Sequence, residues 1–166
     1  MMHKGVMFVT THVIGSNNNL EARDIKAVEE FFARNAADID WLKESFAAAG
    51  DAEALVLAIH ADMFEFDFAL PWDSEGYLRH SGFKAFAETL MAEANAFGKP
   101  VLLMFGDSHK FRMFRPFPSK SPHVMAIETF GSADMHAVEV MVDTDASYPF
   151  GARPLINAVQ PIEWKE

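Results

Sequence analysis

Two continuously apolar runs, Ala54-Leu55-Val56-Leu57-Ala58-Ile59 and Val101-Leu102-Leu103-Met104-Phe105, constrain this chain more than any other feature. A strand that is apolar at every position has to be covered on both faces, which is the situation of a parallel strand between two layers. The stretch between the runs carries Phe83, Phe86, Leu90, Ala94 and Phe97 at helical spacing, so the pair reads as one β-α-β unit. Both runs break off into polar chemistry: His60-Ala61-Asp62 after the first, Gly106-Asp107-Ser108-His109 after the second. In open α/β sheets, ligand-binding groups gather outside the carboxyl ends of the strands. A metal or phosphate site at these two ends is therefore the first expectation.

The rest of the chain fills in around that unit. Val6 to Ile14 is rich in β-branched residues and stops at Gly15-Ser16-Asn17-Asn18-Asn19, a turn signal. Ile25, Val28, Phe32, Ala36, Ile39, Leu42, Phe46 and Ala49 then form one stripe of a long amphipathic helix, with Asp24 placed to cap its start and Gly50 its end. Residues 63–82 read as a long loop, and long loops in compact domains are often functional. Ser81 is placed to cap the second helix, which Gly98 and Pro100 end. After a Pro-rich turn, 123–130 and 137–142 read as two further strands joined by a hairpin loop over 131–136. The order is β-α-β-α-β-β-β in a mixed sheet, the first three strands parallel and the last two antiparallel. This predicts a single α/β domain over 1–148, followed by an extended, loosely packed tail over 149–166.

Composition narrows the function. Half of the 166 residues are apolar, including sixteen Phe and ten Met, which excludes disorder and implies a well-filled interior or an additional hydrophobic interface. The formal charge of −10, with no basic stripe, argues against nucleic acid and anionic membranes as partners. No cysteine is present, so thiolate metal sites and disulfides are excluded. No apolar run approaches the roughly 18 residues of a membrane span. The opening Met1–Val9 reads as a strand rather than a signal peptide, which leaves the cytoplasm as the default compartment.

Among candidate site residues, Asp107 and His109 stand two apart, and alternate residues of an extended segment point the same way. Both could then face one cation, or Asp107 could simply bind turn amides with His109 at the surface. His60 is a core-rim residue on its own. It gains weight because strands joined by one helix are commonly neighbours, which brings it towards Asp107 and His109. Asp62 is a weaker member of the same cluster. Ser16, Asn17 and Asn18 could form an anion nest at the first strand's end, or a plain turn. His12 reads as a sheet residue, and His136 could approach from the hairpin side. Lys110, Arg112 and Arg115 place positive charge nearby, suited either to a phosphate or to an exposed strand.

Taken in order, Gly15-Ser16-Asn17-Asn18, His60-Ala61-Asp62, Gly106-Asp107-Ser108-His109 and Phe130-Gly131-Ser132 resemble the later half of a calcineurin-like metallophosphoesterase, over roughly residues 5–145. That resemblance implies the later half of an α/β/β/α sandwich with a dinuclear metal site. It implies His60, Asp107 and His109 as metal ligands, Asp107 standing where the family has a His, and a divalent Zn, Mn or Fe as cofactor. Carboxylate oxygen is an acceptable donor to any of these ions. The substrate class it implies is a phosphate ester. None of the family's earlier ligand blocks (Asp-x-His, Gly-Asp and Gly-Asn-His) precedes Val6. The expectation is thus of a fragment or truncated relative, inactive alone as a hydrolase, whose exposed apolar faces pair in a homodimer. The alternative is a non-catalytic, homo-oligomeric α/β domain for interaction or small-ligand binding.

Overall fold

The computed structural model describes residues 1–64, 81–131 and 134–159. Most of the 63–82 loop, Ser132 and the last seven residues lie outside them.

The strands are β1 (Met2–His3), β2 (Val6–Thr10), β3 (Ala54–Ala58), β4 (Val101–Phe105), β5 (Arg112–Phe114), β6 (Val124–Glu128), β7 (Ala137–Val142) and β8 (Phe150–Leu155). Helical segments are the single turn α1 (Gly15–Asn18), α2 (Ile25–Ala49) and α3 (Lys84–Phe97). Six strands form one sheet in the order β1-β2-β3-β4-β6-β5. Its centre, β2-β3-β4-β6, is parallel, and the short β1 and β5 close the edges antiparallel. The two apolar runs are the middle of this sheet, and the alternation of their side chains divides the core in two. Leu55, Leu57, Val101 and Leu103 face α2 and α3, where Leu42, Phe46, Phe86 and Leu90 cover them. Ala54, Val56, Leu102 and Ile127 face the other way, onto Val138, Val140 and Val142 of β7 and Phe150 of β8. Each fully buried Leu or Phe here contributes about 1.5–3 kcal/mol relative to exposure. The layers are helices, main sheet, hairpin.

The helix caps follow the sequence. Asp24 Oδ1 accepts from the N–H of Lys26 at 2.9 Å and of Ala27 at 3.3 Å. Gly50 and Gly98 end the two helices with φ of +42° and +65°, which a side chain would strain. Ser81 does not cap α3: its hydroxyl accepts from Phe83 N–H, and Phe83 occupies the cap position.

Four expectations are corrected. The strands over 123–130 and 137–142 do not pair with each other. β6 joins the main sheet parallel to β4, because its run Val124-Met125-Ala126-Ile127 is apolar on both faces, and β7 pairs antiparallel with β8. The segment after Pro149 is accordingly no loose tail: Phe150 is buried and residues 150–155 are a strand, with Pro154 tolerated because, among the described residues, no strand pairs with the far side of β8. His12 lies beyond β2, which ends at Thr10. The inward face of α2 also differs from the apolar stripe in its first half. Ile25 and Phe32 are exposed, while Phe31, Asn35 and Asp38 are buried.

Candidate functional site

The carboxyl ends of β2, β3, β4 and β6 lie side by side, and each delivers a polar group. From β3 comes His60, whose Nε2 is 3.8 Å from Asp107 Oδ1 at the end of β4. The His60 side chain is 66% exposed and that of Asp107 25%, so the pair is open to a ligand. Asp107 Oδ2 also accepts, at 3.4 Å, the N–H of Asp62. A Cβ at position 15 would fall 2.7 Å from Asp107 Oδ2, so Gly15 is what allows the β2 end to approach this carboxylate.

His109 packs against Gly131. Asp107 and His109 have φ of +63° and +62°, so the segment is not extended and the rule of alternate sides does not apply. The His109 ring lies against Gly131, its Cδ2 only 2.4 Å from where a Cβ would be. Ser108 turns inward and donates to Glu128 Oε1 at 2.5 Å. Among the described residues, no three His, Asp or Glu side chains are arranged to hold a metal.

Asp62 and Glu128 belong to a buried network instead. Both side chains are fully buried, and Arg112 bridges them: Nη2 donates to Asp62 Oδ2 and Nε to Glu128 Oε2, each at 2.6 Å. Lys110 N–H adds a bond to Glu128 Oε1 at 3.1 Å, and the Arg112 guanidinium stacks 4.8 Å from the Phe114 ring centroid. Burial pushes the Asp62 carboxyl above its ordinary range, and the neighbouring Glu128 pushes the same way. Phe64 N–H and Arg112 only partly oppose them. Arg112 is thus committed to two carboxylates rather than to a phosphate. Because β5 runs antiparallel to β6, Arg115 leads away from the carboxyl edge, which removes it from the site. Glu128 was not among the sequence candidates. The signal was there, since a carboxylate closing an apolar run needs a cation.

The Asn-rich turn has its own support. Ser16, Asn17, Asn18 and Asn19 all adopt left-handed φ, between +52° and +60°. This conformation costs most residues roughly 1–2 kcal/mol each, and Asn less, which is why Asn can occupy three of the four positions. Asn17 Oδ1 accepts from Gly82 N–H at 2.7 Å. The buried Asn18 accepts from Arg34 at 2.6 Å and donates to Asn35 and to the Gly82 carbonyl. These amides are used internally, so Asn17 and Asn18 offer no side-chain groups to a phosphate. Arg34 also donates to the His12 carbonyl and to Glu30, while Asp38 accepts from Thr11 Oγ1 and His12 N–H. The polar inward face of α2 therefore holds segment 11–18, and with it Gly15, against Asp107. His136 contacts the Phe130 ring edge-on, and its Nδ1 accepts from Asn157 N–H.

No family model, curated protein or solved structure matches this chain.

The metal reading can be tested on donor chemistry. Two ligands of one tetrahedral ion, bound at about 2.0–2.1 Å, stand about 3.3 Å apart. The 3.8 Å between His60 Nε2 and Asp107 Oδ1 is close to that spacing. A zinc site, however, takes at least three protein ligands. Taken with the described residues alone, the pair fits one weakly held divalent ion completed by water and falls short of a three-ligand metal centre.

Proposed function

We propose that the carboxyl edge of the main sheet is a phosphoesterase-type site reduced to His60 and Asp107, which binds a divalent cation such as Zn, Mn or Fe(II) together with a phosphate-ester ligand and does not hydrolyse it. What supports the reading is the approach of these two side chains from the ends of adjacent parallel strands, with Gly15 leaving room beside them. His60 would donate through a neutral ring nitrogen and Asp107 through a carboxylate oxygen. A bound cation supplies positive charge for a phosphate oxygen. Asp62 N–H orients Asp107, and the Arg112 network holds the strand ends beneath it. Mn²⁺ titration calorimetry tests this directly. Weak binding lost in both His60→Ala and Asp107→Asn is expected, with no measurable turnover of a bis-aryl phosphodiester. Equal binding by wild type and both variants, or hydrolysis abolished by His60→Ala, overturns the proposal.

A second reading, self-association into a homodimer, is favoured by one observation. The β7–β8 sheet has two strands, and among the described residues its outer edges are unpaired. Two-stranded sheets are marginal alone, and open edges invite pairing with another chain. Sedimentation at micromolar concentration is expected to give a dimer, and a monomer overturns this.

A further inference from the structure

The opposite edge of the sheet carries a cavity of about 460 Å³, and its construction differs from that of the carboxyl edge. β4 and β6 begin here, so Pro122 and Met125 form one wall. The antiparallel β5 brings Met113 and Arg115 to the same end, and the β7–β8 connection supplies Tyr148 and Phe150. The volume falls within the range of about 300–1,000 Å³ typical of small-molecule sites.

We propose that this cavity binds a small amphipathic anion: an apolar or aromatic body seated among Met113, Met125 and Phe150, with a carboxylate or phosphate head on Arg115. Three observations carry it. The walls are mainly Pro, Met and Phe, and thioether side chains adapt to flat apolar ligands. Among the described residues, no Asp or Glu lines the cavity, in a chain of net charge −10. Among the described residues, the Arg115 guanidinium makes no hydrogen bond or ion pair. Of the described lining residues it is the one Lys, Arg, Asp or Glu present, with its planar donor fork left for an anion, and carboxylate and phosphate both match that fork. The imidazole of His123 is fixed at the wall by a 2.8 Å bond from Nε2 to the Ala94 carbonyl, so its ring is held in place before any ligand arrives. Unlike the carboxyl-edge site, this cavity involves neither His60 nor Asp107, and its test is independent of theirs.

The experiment uses the full chain with ¹³C-labelled methionine methyl groups, titrated with 2-naphthoate, 2-naphthyl phosphate and the uncharged 2-naphthamide. Saturable shifts at Met113 and Met125, with Met1 and Met135 unmoved, are expected for both anions. The stronger of the two identifies the head group. Arg115→Gln should weaken the anions about tenfold while leaving the amide unchanged. Arg115 is exposed, so this variant should fold as wild type does. Equal binding of all three probes would reduce the cavity to an apolar crevice and overturn the anion assignment. Shifts spread over all methionines, or none at millimolar probe, overturn the site itself.

Discussion

Arg112 Nη2 lies 2.6 Å from Asp62 Oδ2, joining residues fifty apart in the chain, from β5 to the end of β3. The same guanidinium holds Glu128, so one cation of low exposure serves two fully buried carboxylates.

Replacing Arg112 leaves both carboxylates without their counter-charge. Breaking a buried pair by removing one partner costs about 3–5 kcal/mol. Arg112→Gln should therefore lose about that much in urea unfolding, and Arg112→Lys should recover only part of it, because an ammonium cannot present two parallel donors. Stability equal to wild type in Arg112→Gln would show that the network contributes nothing.

Asp62 makes the stability depend on pH in a particular direction. Its carboxyl is raised from the usual 3.8 by burial, so between that value and its folded pKa the native state holds a proton that the unfolded state has released. Stability then falls as pH rises through this window. The contribution is fully present below about pH 3.8 and is lost above the folded pKa. Asp62→Asn removes the titration. The stability difference between wild type and this variant should shift against wild type as pH increases from acid toward neutral. A difference constant with pH rules the coupling out.

At position 82, a Cβ would stand 2.3 Å from the Asn17 carbonyl oxygen and 3.0 Å from Leu20 Cβ. The first of these is backbone, so a methyl group there must push apart the left-handed turn and the start of α3. Overpacking of this kind costs about 1–3 kcal/mol. Gly82→Ala should lower Tm accordingly, whereas Gly98→Ala meets no atom within 4 Å and should suffer only from its backbone angle.

Gly15→Ala tests the carboxyl-edge pair without touching either member. The added carbon lies 2.7 Å from Asp107 Oδ2 and has to displace that carboxylate from His60. Mn²⁺ affinity should drop roughly tenfold, as when the support of a ligand is disturbed. Thermal unfolding should move little, since Gly15 has an ordinary φ and the Asp107 side chain can turn. Unchanged affinity would mean that the His60–Asp107 spacing is irrelevant to the ion.

What the sequence revealed depended on whether a feature is local. β3 and β4 were legible because a run apolar on every residue has few alternatives, and the bounds of α2 were legible because Asp24 and Gly50 act within a turn of its ends. Pairings were not. Which strand β6 or β7 joins depends on partners far along the chain, and Pro154 disguised β8 as a tail. The buried face of α2 escaped for a related reason: Asn35 and Asp38 are stable inside only through Asn18, Thr11 and Arg34, and no periodicity records such bonds. At the site, neighbouring strands brought His60 to Asp107 as expected. The left-handed backbone at Asp107 and His109 could not be seen in a pattern of residue types, and it removes the extended geometry from which their common side was read.

The parallel arrangement of β3 and β4 sets a timetable for biosynthesis. Asp62 N–H and Asp107 Oδ2 are separated by 45 positions, and α3 must be made and laid down between them. Until residue 107 has left the ribosome, Asp62 N–H has no Asp107 carboxylate to meet. Such long-range closure is slow compared with helix formation, so release of the carboxyl-terminal segments from the exit tunnel, rather than the folding of either helix, should time the appearance of a finished rim.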